Sequence, residues 1–512
     1  MPALPREATV AIFGAGSMGA GIAQVAAQAG HRVLLFDSRF NAADEARRRI
    51  AETFAMLAAK GKLGADEATA AASRIEAIHA VGDVVSAKLV IEAIVEDLDA
   101  KQTLFRQLEV VVAPEAILAT NTSSLSVTQL AAGLQRPGRV AGMHFFNPAP
   151  LMPLVEVVSG LATQASVATT IYDTALAWKK LPVHAASTPG FIVNRCARPF
   201  YAEALRLLAE RACSPATLDA VMCEAGGFRM GPFELMDLIG NDINFAVTRS
   251  VWEGYFHDAR FTPSVVQQEM VAAGFLGRKS GRGFYDYTAG AARPVPSTEP
   301  PANVPNRASA SACGDLGPAA ALVDRLRGAG MTVQRQDAQS MFAAGSLAIG
   351  DATLALSDGR TASVRALEEG VHNLVLFDLA HDFASATRLA LARAGNCSDA
   401  AFSHAVGALQ AAGIAVSLID DVAGLPVMRT VAMLVNEAAD AMQQGIASAP
   451  DIDTAMKRGV NYPRGPLEWG DAIGCTRVRD TLDHLARHYG DMRYRVSPLL
   501  RRRCADGGRL AS

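Results

Sequence analysis

Charge is scarce in this sequence, and what there is nearly balances. Asp, Glu, Lys and Arg make up 19% of the 512 residues, and the net charge is -3. Such a chain has no general attraction for nucleic acid or an anionic membrane, so neither is expected as a partner. Paired cysteines are lacking too. Cys196, Cys213, Cys223, Cys313, Cys397, Cys475 and Cys504 form no C-x-x-C pair and are odd in number. Neither a disulfide framework nor a metal site is expected. No charge-free apolar run reaches membrane length. Met1 to Thr9 has no apolar core of the kind a signal peptide needs. The expectation is a soluble protein of a reducing compartment, the cytoplasm. Half the residues are hydrophobic, enough to bury about three domain cores.

The pattern along the chain alternates. Up to residue 187, short apolar runs at Val10–Phe13, Arg32–Phe36, Leu89–Ala93, Ile117–Thr120, Val140–Phe145 and Leu154–Val158 are separated by helix-like stretches such as Ala42–Lys60. Strands separated by helices imply a parallel sheet wrapped by helices. Residues 188–288 turn helical. Residues 289–318, with Pro294, Pro296, Pro300, Pro301, Pro305 and Pro318, read as a linker. A smaller α/β pattern follows over 319–419, with strand candidates Met331–Arg335, Leu347–Ala355, Leu374–Leu379 and Ile414–Leu418. Residues 420–512 are helical again. The expected fold is an α/β Rossmann-type domain (1–187) and an all-α domain (188–288). A reduced Rossmann-like module (319–419) and a second all-α copy (420–512) follow.

The two helical segments repeat one another. At an offset of 234 residues (424 minus 190), Gly190-Phe-Ile-Val-Asn-Arg195 falls on Gly424-Leu-Pro-Val-Met-Arg429. Without a gap, Glu203 then falls on Glu437, Asp219 on Asp453, Asp237 on Asp471 and Gly240 on Gly474. Gly231-Pro-Phe-Glu234 falls on Gly465-Pro-Leu-Glu468. Matching glycines, prolines and acids at one spacing mean a duplication.

Two constellations carry chemistry. Gly14-Ala-Gly16-Ser17-Met18-Gly19 follows the first strand and opens a helix, and Asp37 ends the next strand. Glycines there allow a tight turn and close approach of a pyrophosphate, and the helix N-terminus offers N–H groups to phosphate. A carboxylate at the strand end accepts from a ribose 2′-hydroxyl and repels a 2′-phosphate, so NAD is expected although Arg39 lies two residues on. The second set is Asn121-Thr-Ser123-Ser124, His144-Phe-Phe-Asn147-Pro148, Glu156 and Asn194. Oxidising a carbinol needs a base for the hydroxyl proton, which suits a histidine, and a carboxylate fixes its tautomer. Each of these residues taken singly is more often a packed or solvated side chain. Their company with the cofactor loop favours a catalytic pair of His144 and Glu156.

Over residues 8 to 287, and again in the C-terminal copy, the chain resembles the 3-hydroxyacyl-CoA dehydrogenases. The matching stretches are Gly14–Gly19, Glu92-Ala-Ile-Val-Glu96, Asn121–Leu125, His144–Pro148, Leu154–Glu156, Thr188–Arg195, Gly231–Glu234 and Gly281–Tyr285. The two-copy layout resembles the longer bacterial members, the 3-hydroxyadipyl-CoA dehydrogenases linked to phenylacetate breakdown. The resemblance implies NAD-dependent oxidation of a (3S)-3-hydroxyacyl-CoA, such as 3-hydroxyadipyl-CoA or 3-hydroxybutyryl-CoA. It makes His144 the base and Glu156 its partner. Ser123 and Asn194 then hydrogen-bond the reacting oxygen or hold the substrate, and Ser123 also counts among the cofactor contacts. Glu96, Lys101, Asn147 and Lys279 match cofactor-contacting positions, and Thr53 and Lys60 fall where the family contacts coenzyme A. Because its helical domain resembles a dimerisation module, either a homo-oligomer or an intrachain pseudo-dimer is expected. For a substrate with a distal carboxylate, Arg195, Arg198, Arg229 and Arg249 are candidate partners.

The second copy departs from the pattern. Met428 stands at the position of Asn194, Cys313-Gly-Asp-Leu-Gly317 replaces the glycine loop, and no His-Phe-Phe-Asn-Pro stretch occurs. One active site is expected. Two other readings are a β-hydroxyacid dehydrogenase acting on free acids, which favours a lysine base, and a non-enzymatic cofactor-binding protein, which needs a broken catalytic set.

Overall fold

The computed structural model describes residues 2–302, 309–336 and 345–511. The first sheet has eight strands: β1 (Thr9–Phe13), β2 (Val33–Phe36), β3 (Ile75–Ala77), β4 (Ala87–Glu92), β5 (Ile117–Thr120), β6 (Val140–Phe145), β7 (Leu154–Ser159) and β8 (Leu181–Ala186). Their order is β3-β2-β1-β4-β5-β6-β7-β8. All neighbours are parallel except β6 and β7, which run antiparallel with His144 opposite Glu156. The helices here are α1 (Ser17–Ala29), α2 (Ala42–Ala59), α3 (Ala65–Ser73), α4 (Leu98–Val111), α5 (Val127–Ala131), α6 (Ala165–Ala177) and α7 (Val193–Cys196). Central strands are buried on both faces and read as continuous apolar runs. Strands β3 and β8 were not expected. The first is only three residues long, and the second carries Pro182, which an edge strand tolerates.

The next helices are α8 (Arg198–Ala209), α9 (Pro215–Glu224), α10 (Pro232–Ile239), α11 (Asn241–Gly254) and α12 (Val265–Ala272). A second sheet follows, with β9 (Ser309–Cys313), β10 (Thr332–Gln336), β11 (Ser346–Ile349), β12 (Ala352–Leu356), β13 (Leu374–Phe377), β14 (Arg388–Arg393) and β15 (Ala415–Leu418), in the order β10-β9-β11-β12-β13-β14-β15. With it come α13 (Ala321–Gly328), α14 (Ala362–Glu369) and α15 (Asp399–Ala411). The last block holds α16 (Pro426–Gln443), α17 (Ala449–Gly459), α18 (Pro466–Ile473), α19 (Cys475–Tyr489) and α20 (Pro498–Asp506). Among the described residues no helix is long and apolar enough to cross a membrane.

Three expectations are corrected here. The stretch 289–318 is not all linker, since β9 lies in it and pairs with β10 and β11. Before β9 the chain is pinned as well, the Glu299 N–H donating to the Val416 carbonyl at 2.8 Å. Residues 303–308 of that stretch lie outside the described residues. The single run Leu347–Ala355 is a hairpin, because Gly350 and Asp351 break it into β11 and β12. Finally, Cys475 and Cys504 form a disulfide, with Cα atoms 5.4 Å apart, where α19 packs on α20.

The chain folds into two compact units that cut across the serial order of the four segments. The first comprises residues 1–195 and 444–460, so that α17 packs against β7 and β8. The second comprises 196–443 and 461–512, within which α8 packs on α16 and α9 on β14. The exchange is reciprocal. In the first unit the Ala186 N–H donates to the Ile446 carbonyl at 2.8 Å, and in the second the Asp420 N–H donates to the Ala212 carbonyl at 3.0 Å. These two bonds are related by the repeat offset.

Candidate functional site

The loop after β1 is built for close approach. Gly14 has φ 107°, and a Cβ there would stand 2.3 Å from the Ala93 carbonyl oxygen. A Cβ on Gly19 would stand 1.8 Å from the Gly14 carbonyl, which is why helix and turn pack so tightly. A Cβ on Gly16 would meet nothing within 4 Å. Its bare Cα and the exposed Ser17 therefore face open space at the N-terminus of α1, where no side chain caps the helix. Phosphates of a dinucleotide fit such a terminus. Asp37, just past β2, accepts from the Ala15 N–H at 2.8 Å and from Arg39 at 3.0 Å. Burial opposes its ionisation, but these hydrogen bonds outweigh that and hold the carboxyl down at about 2.

Beyond β4, Glu96 gathers the strand ends. It accepts from the Thr122 hydroxyl at 2.6 Å and from the Ser123 N–H at 3.0 Å, and pairs with Lys101 at 3.1 Å. Burial alone would raise its pKa. The Lys101 charge and the Thr122 hydrogen bond pull it below the usual carboxylate range. Lys101 itself is 1% exposed and also bonded to Glu92 at 2.6 Å. It acts on the site by holding Glu96, a role that its sequence position did not reveal.

At the centre His144 and Glu156 face each other across the β6–β7 ladder. His144 Nδ1 donates to Glu156 Oε2 at 2.7 Å. The other carboxylate oxygen accepts from the Ile192 and Val193 N–H groups at 3.0 and 2.9 Å. Glu156 is thus saturated by one imidazole and the first turn of α7, which keeps a 1% exposed carboxylate in place. His144 Nε2 has no hydrogen-bond partner among the described residues. Phe146 and Phe191 flank the ring, with centroids 4.6 and 5.8 Å away. Asn194 Nδ2 donates to the Ser123 carbonyl at 3.3 Å, bringing the β5 loop to the start of α7. Asn121 Oδ1 accepts from the Phe145 N–H at 2.8 Å, which ties that loop to the end of β6. Lys180, absent from the sequence-based set, donates to the Ala149 and Met152 carbonyls at 2.6 and 2.8 Å and fixes the loop after Pro148. Burial lowers its pKa to about 8.

Asn147 is exposed, just before Pro148. Thr53 and Lys60 share a side of α2 and its C-cap, and the Thr53 hydroxyl donates to the Arg49 carbonyl at 2.8 Å. Lys279 belongs to the second unit and pairs there with Asp242 at 2.6 Å. Of the arginines, Arg195 is buried and bonded to Gln444 at 2.8 Å, Arg198 is buried beside Thr248, and Arg249 pairs with Glu253. Arg229 is exposed.

The second module keeps a carboxylate and loses the base. At the repeat offset Val183, paired with Glu156, falls on Ser417, paired with Ala390. Opposite Ala390 stands Asp378, whose N–H donates to the Ala390 carbonyl at 3.0 Å. The His–Glu pair is thus replaced by Asp378 and Ala390. Asp378 accepts directly from the Val427 and Met428 N–H groups at 2.7 and 2.9 Å. Neither position of the pair carries an imidazole to take a proton.

Comparison with known proteins agrees with this architecture. Residues 9–188 match the family model of the 3-hydroxyacyl-CoA dehydrogenase NAD binding domain, and residues 190–287 and 424–510 that of its C-terminal domain. Residues 354–422 match the 3-hydroxybutyryl-CoA dehydrogenase reduced Rossmann-fold domain. A 3-hydroxyadipyl-CoA dehydrogenase of Escherichia coli K12 is 43% identical over 97% of both chains. A probable 3-hydroxybutyryl-CoA dehydrogenase of Deinococcus radiodurans is 41% identical over 54% of this chain and 99% of its own. The crystal structure of a 3-hydroxybutyryl-CoA dehydrogenase from Escherichia coli K12 superposes with a TM-score of 0.88, at 43% identity and 98% coverage of both chains. With its NAD-binding domain, duplicated C-terminal domain and reduced Rossmann module, the chain belongs to the 3-hydroxyacyl-CoA dehydrogenase family and is an NAD-dependent oxidoreductase of the long, two-copy form.

Proposed function

We propose that the cluster around His144 is where this dehydrogenase oxidises the C3 hydroxyl of a 3-hydroxyacyl-CoA, and that the preferred acyl group is 3-hydroxyadipyl. NAD, held at Gly14–Gly19 with its ribose at Asp37, supplies the hydride acceptor. His144 Nε2 takes the hydroxyl proton, and Glu156 holds the ring in the tautomer that leaves this nitrogen free and stabilises the imidazolium that results. Ser123 and Asn194, joined by the bond from Asn194 Nδ2 to the Ser123 carbonyl, hydrogen-bond the reacting oxygen on this reading. Glu96, Lys101 and Asn147 serve the cofactor side, Lys101 through Glu96. Lys279 also serves the cofactor, and Thr53 and Lys60 take the coenzyme A moiety. The observation that carries the reading is the 2.7 Å bond between His144 Nδ1 and Glu156 Oε2, with Glu156 bound on its far side by two backbone N–H groups.

The adipyl choice rests on the full-length relative named for that substrate. The structural relative is named for the butyryl substrate, so the two acyl groups are the ones to compare. NADH formation from 3-hydroxyadipyl-CoA and 3-hydroxybutyryl-CoA tests the reading. Higher kcat/KM for the adipyl ester supports it, a preference for the butyryl ester overturns the acyl choice, and no turnover of either overturns the site. Both cosubstrates are water-soluble, which supports a cytoplasmic reaction on this reading. Because α8 is already covered by α16, the chain acts as its own pseudo-dimer.

A further inference from the structure

Helix α17 comes from the copy that carries no active site, yet it packs on β7 and β8 of the catalytic sheet. Alternation along β7 sends Val155 and Val157 to the face covered by α6, and Leu154 and Glu156 to the other. Helix α17 buries Ile452, Ala455, Met456 and Gly459, one stripe at helical spacing. At the end of the stripe the approach is close. A Cβ on Gly459 would stand 2.6 Å from Leu154 Cδ2 and 3.1 Å from Val193 Cγ2. Leu154 lies two residues before Glu156 on the same face of β7. Val193 supplies one of the two N–H groups that hold Glu156 Oε1. Gly459 is not among the glycines with positive φ. It is glycine for want of space, not for conformation. At the repeat offset its counterpart is Ala225, so the junction that lacks a catalytic pair carries a methyl group that at the catalytic junction would press on Leu154 and Val193.

We infer that Gly459 is a positioning residue for the His144–Glu156 pair: its bare Cα lets α17 seat Leu154 and Val193 so that the Val193 N–H meets Glu156. The second helical copy then contributes to catalysis through the first unit, in cis, without touching substrate. The inference rests on the role proposed for His144 and Glu156.

The test uses the full-length protein. Gly459→Val should lower kcat about tenfold or more, since displacement of a catalytic group by even ~1 Å is costly. NADH affinity, read by fluorescence titration, should stay unchanged. Adding Leu154→Ala removes as many carbons as the valine adds. The double variant should recover most of the lost kcat, which a general loss of folding would not allow. Should Gly459→Val fail to fold, Gly459→Ala carries the same test with a loss of about threefold, the tighter contact still falling on Leu154 and Val193. Wild-type kcat in folded Gly459→Val, or a loss that Leu154→Ala does not reverse, overturns the inference. If His144→Gln keeps its turnover, the underlying reading has failed. If His144→Gln is inactive while Gly459→Val is fully active, only this inference has failed.

Discussion

Glu203 and Arg429 lie 226 positions apart and meet at 2.8 Å with neither side chain exposed. One belongs to the first helical copy and the other to the second. Arg429 also reaches Glu210 at 2.9 Å and the hydroxyls of Tyr489 and Tyr494 at 2.8 Å. The debt is returned by Arg260 of the first copy, which pairs with Glu437 at 3.2 Å and with Asp440. At the repeat offset Glu203 becomes Glu437, so each copy's buried glutamate is answered by an arginine of the other. In the first unit Arg195 and Gln444 repeat the Arg429–Glu210 contact with an amide in place of the acid. This is the pattern of a two-fold interface closed within one chain.

Arg429→Met should therefore destabilise the protein, by up to about 3–5 kcal/mol, because the buried Glu203 keeps only Arg206 and the half-buried Glu210 loses its partner. Urea unfolding measures the loss. Adding Glu203→Gln should recover part of it. A change under about 1 kcal/mol would show that water or a rearranged side chain replaces the guanidinium, and the interface argument would be wrong.

His144→Gln should lower kcat by about 10² to 10⁴, the usual worth of a positioned base. NADH binding should survive, since the glycine loop and Asp37 make no hydrogen bond to His144. Glu156→Gln should lose activity as well, because the amide no longer accepts from both His144 and the α7 N–H groups as a carboxylate does. Near-normal turnover of the His144 variant would send the search for the base elsewhere.

The features legible in the sequence were those with local signatures. The glycine loop, its flanking strands and Asp37 follow one another within a single β-α-β unit. His144 and Glu156 stand on adjacent apolar strands, whose alternation turns both to one face. What escaped was long-range or masked by composition. For Lys101 the sequence offers only a match to a cofactor-contacting position, and its burial between Glu92 and Glu96 depends on how α4 meets β4. The seating of α17 on β7 arises from an exchange between copies, for which no local period exists. Strand β9 hides in a Pro- and Ser-rich stretch, and Cys475 and Cys504 are brought together only by the packing of α19 on α20.

Asp378 should make stability depend on pH in a direction opposite to most carboxylates. Burial pushes its pKa up to about 7, against the pull of the Val427 and Met428 N–H groups. A raised folded-state value means that the native protein holds the proton after the unfolded chain has lost it near pH 4. Stability from this group is then fully present below about pH 4 and falls as pH rises toward 7. Thermal melts of wild type and Asp378→Asn should therefore diverge between pH 4.5 and 7.5, with the wild-type Tm falling relative to the variant. Parallel curves would mean that Asp378 stays in one protonation state throughout.

Cofactor choice should turn on Asp37. Its carboxylate is fixed by the Ala15 N–H on one side and gripped by Arg39 on the other. It is thus held where a ribose hydroxyl can donate to it and where a 2′-phosphate would meet a negative charge. With its pKa at about 2, the charge is present at every working pH, so the preference for NAD should not vary between about pH 7.5 and 9, where the 2′-phosphate is fully ionised as well. Asp37→Ala removes the repulsion and frees the Arg39 guanidinium, which is 70% exposed. The ratio of kcat/KM for NAD over NADP should then drop by about tenfold to a hundredfold, the worth of one charge-assisted hydrogen bond. Adding Arg39→Ala should cancel the gain with NADP while leaving NAD use low. A ratio that stays at its wild-type value in Asp37→Ala would mean that selection against the 2′-phosphate lies in the backbone of the loop, not in this carboxylate.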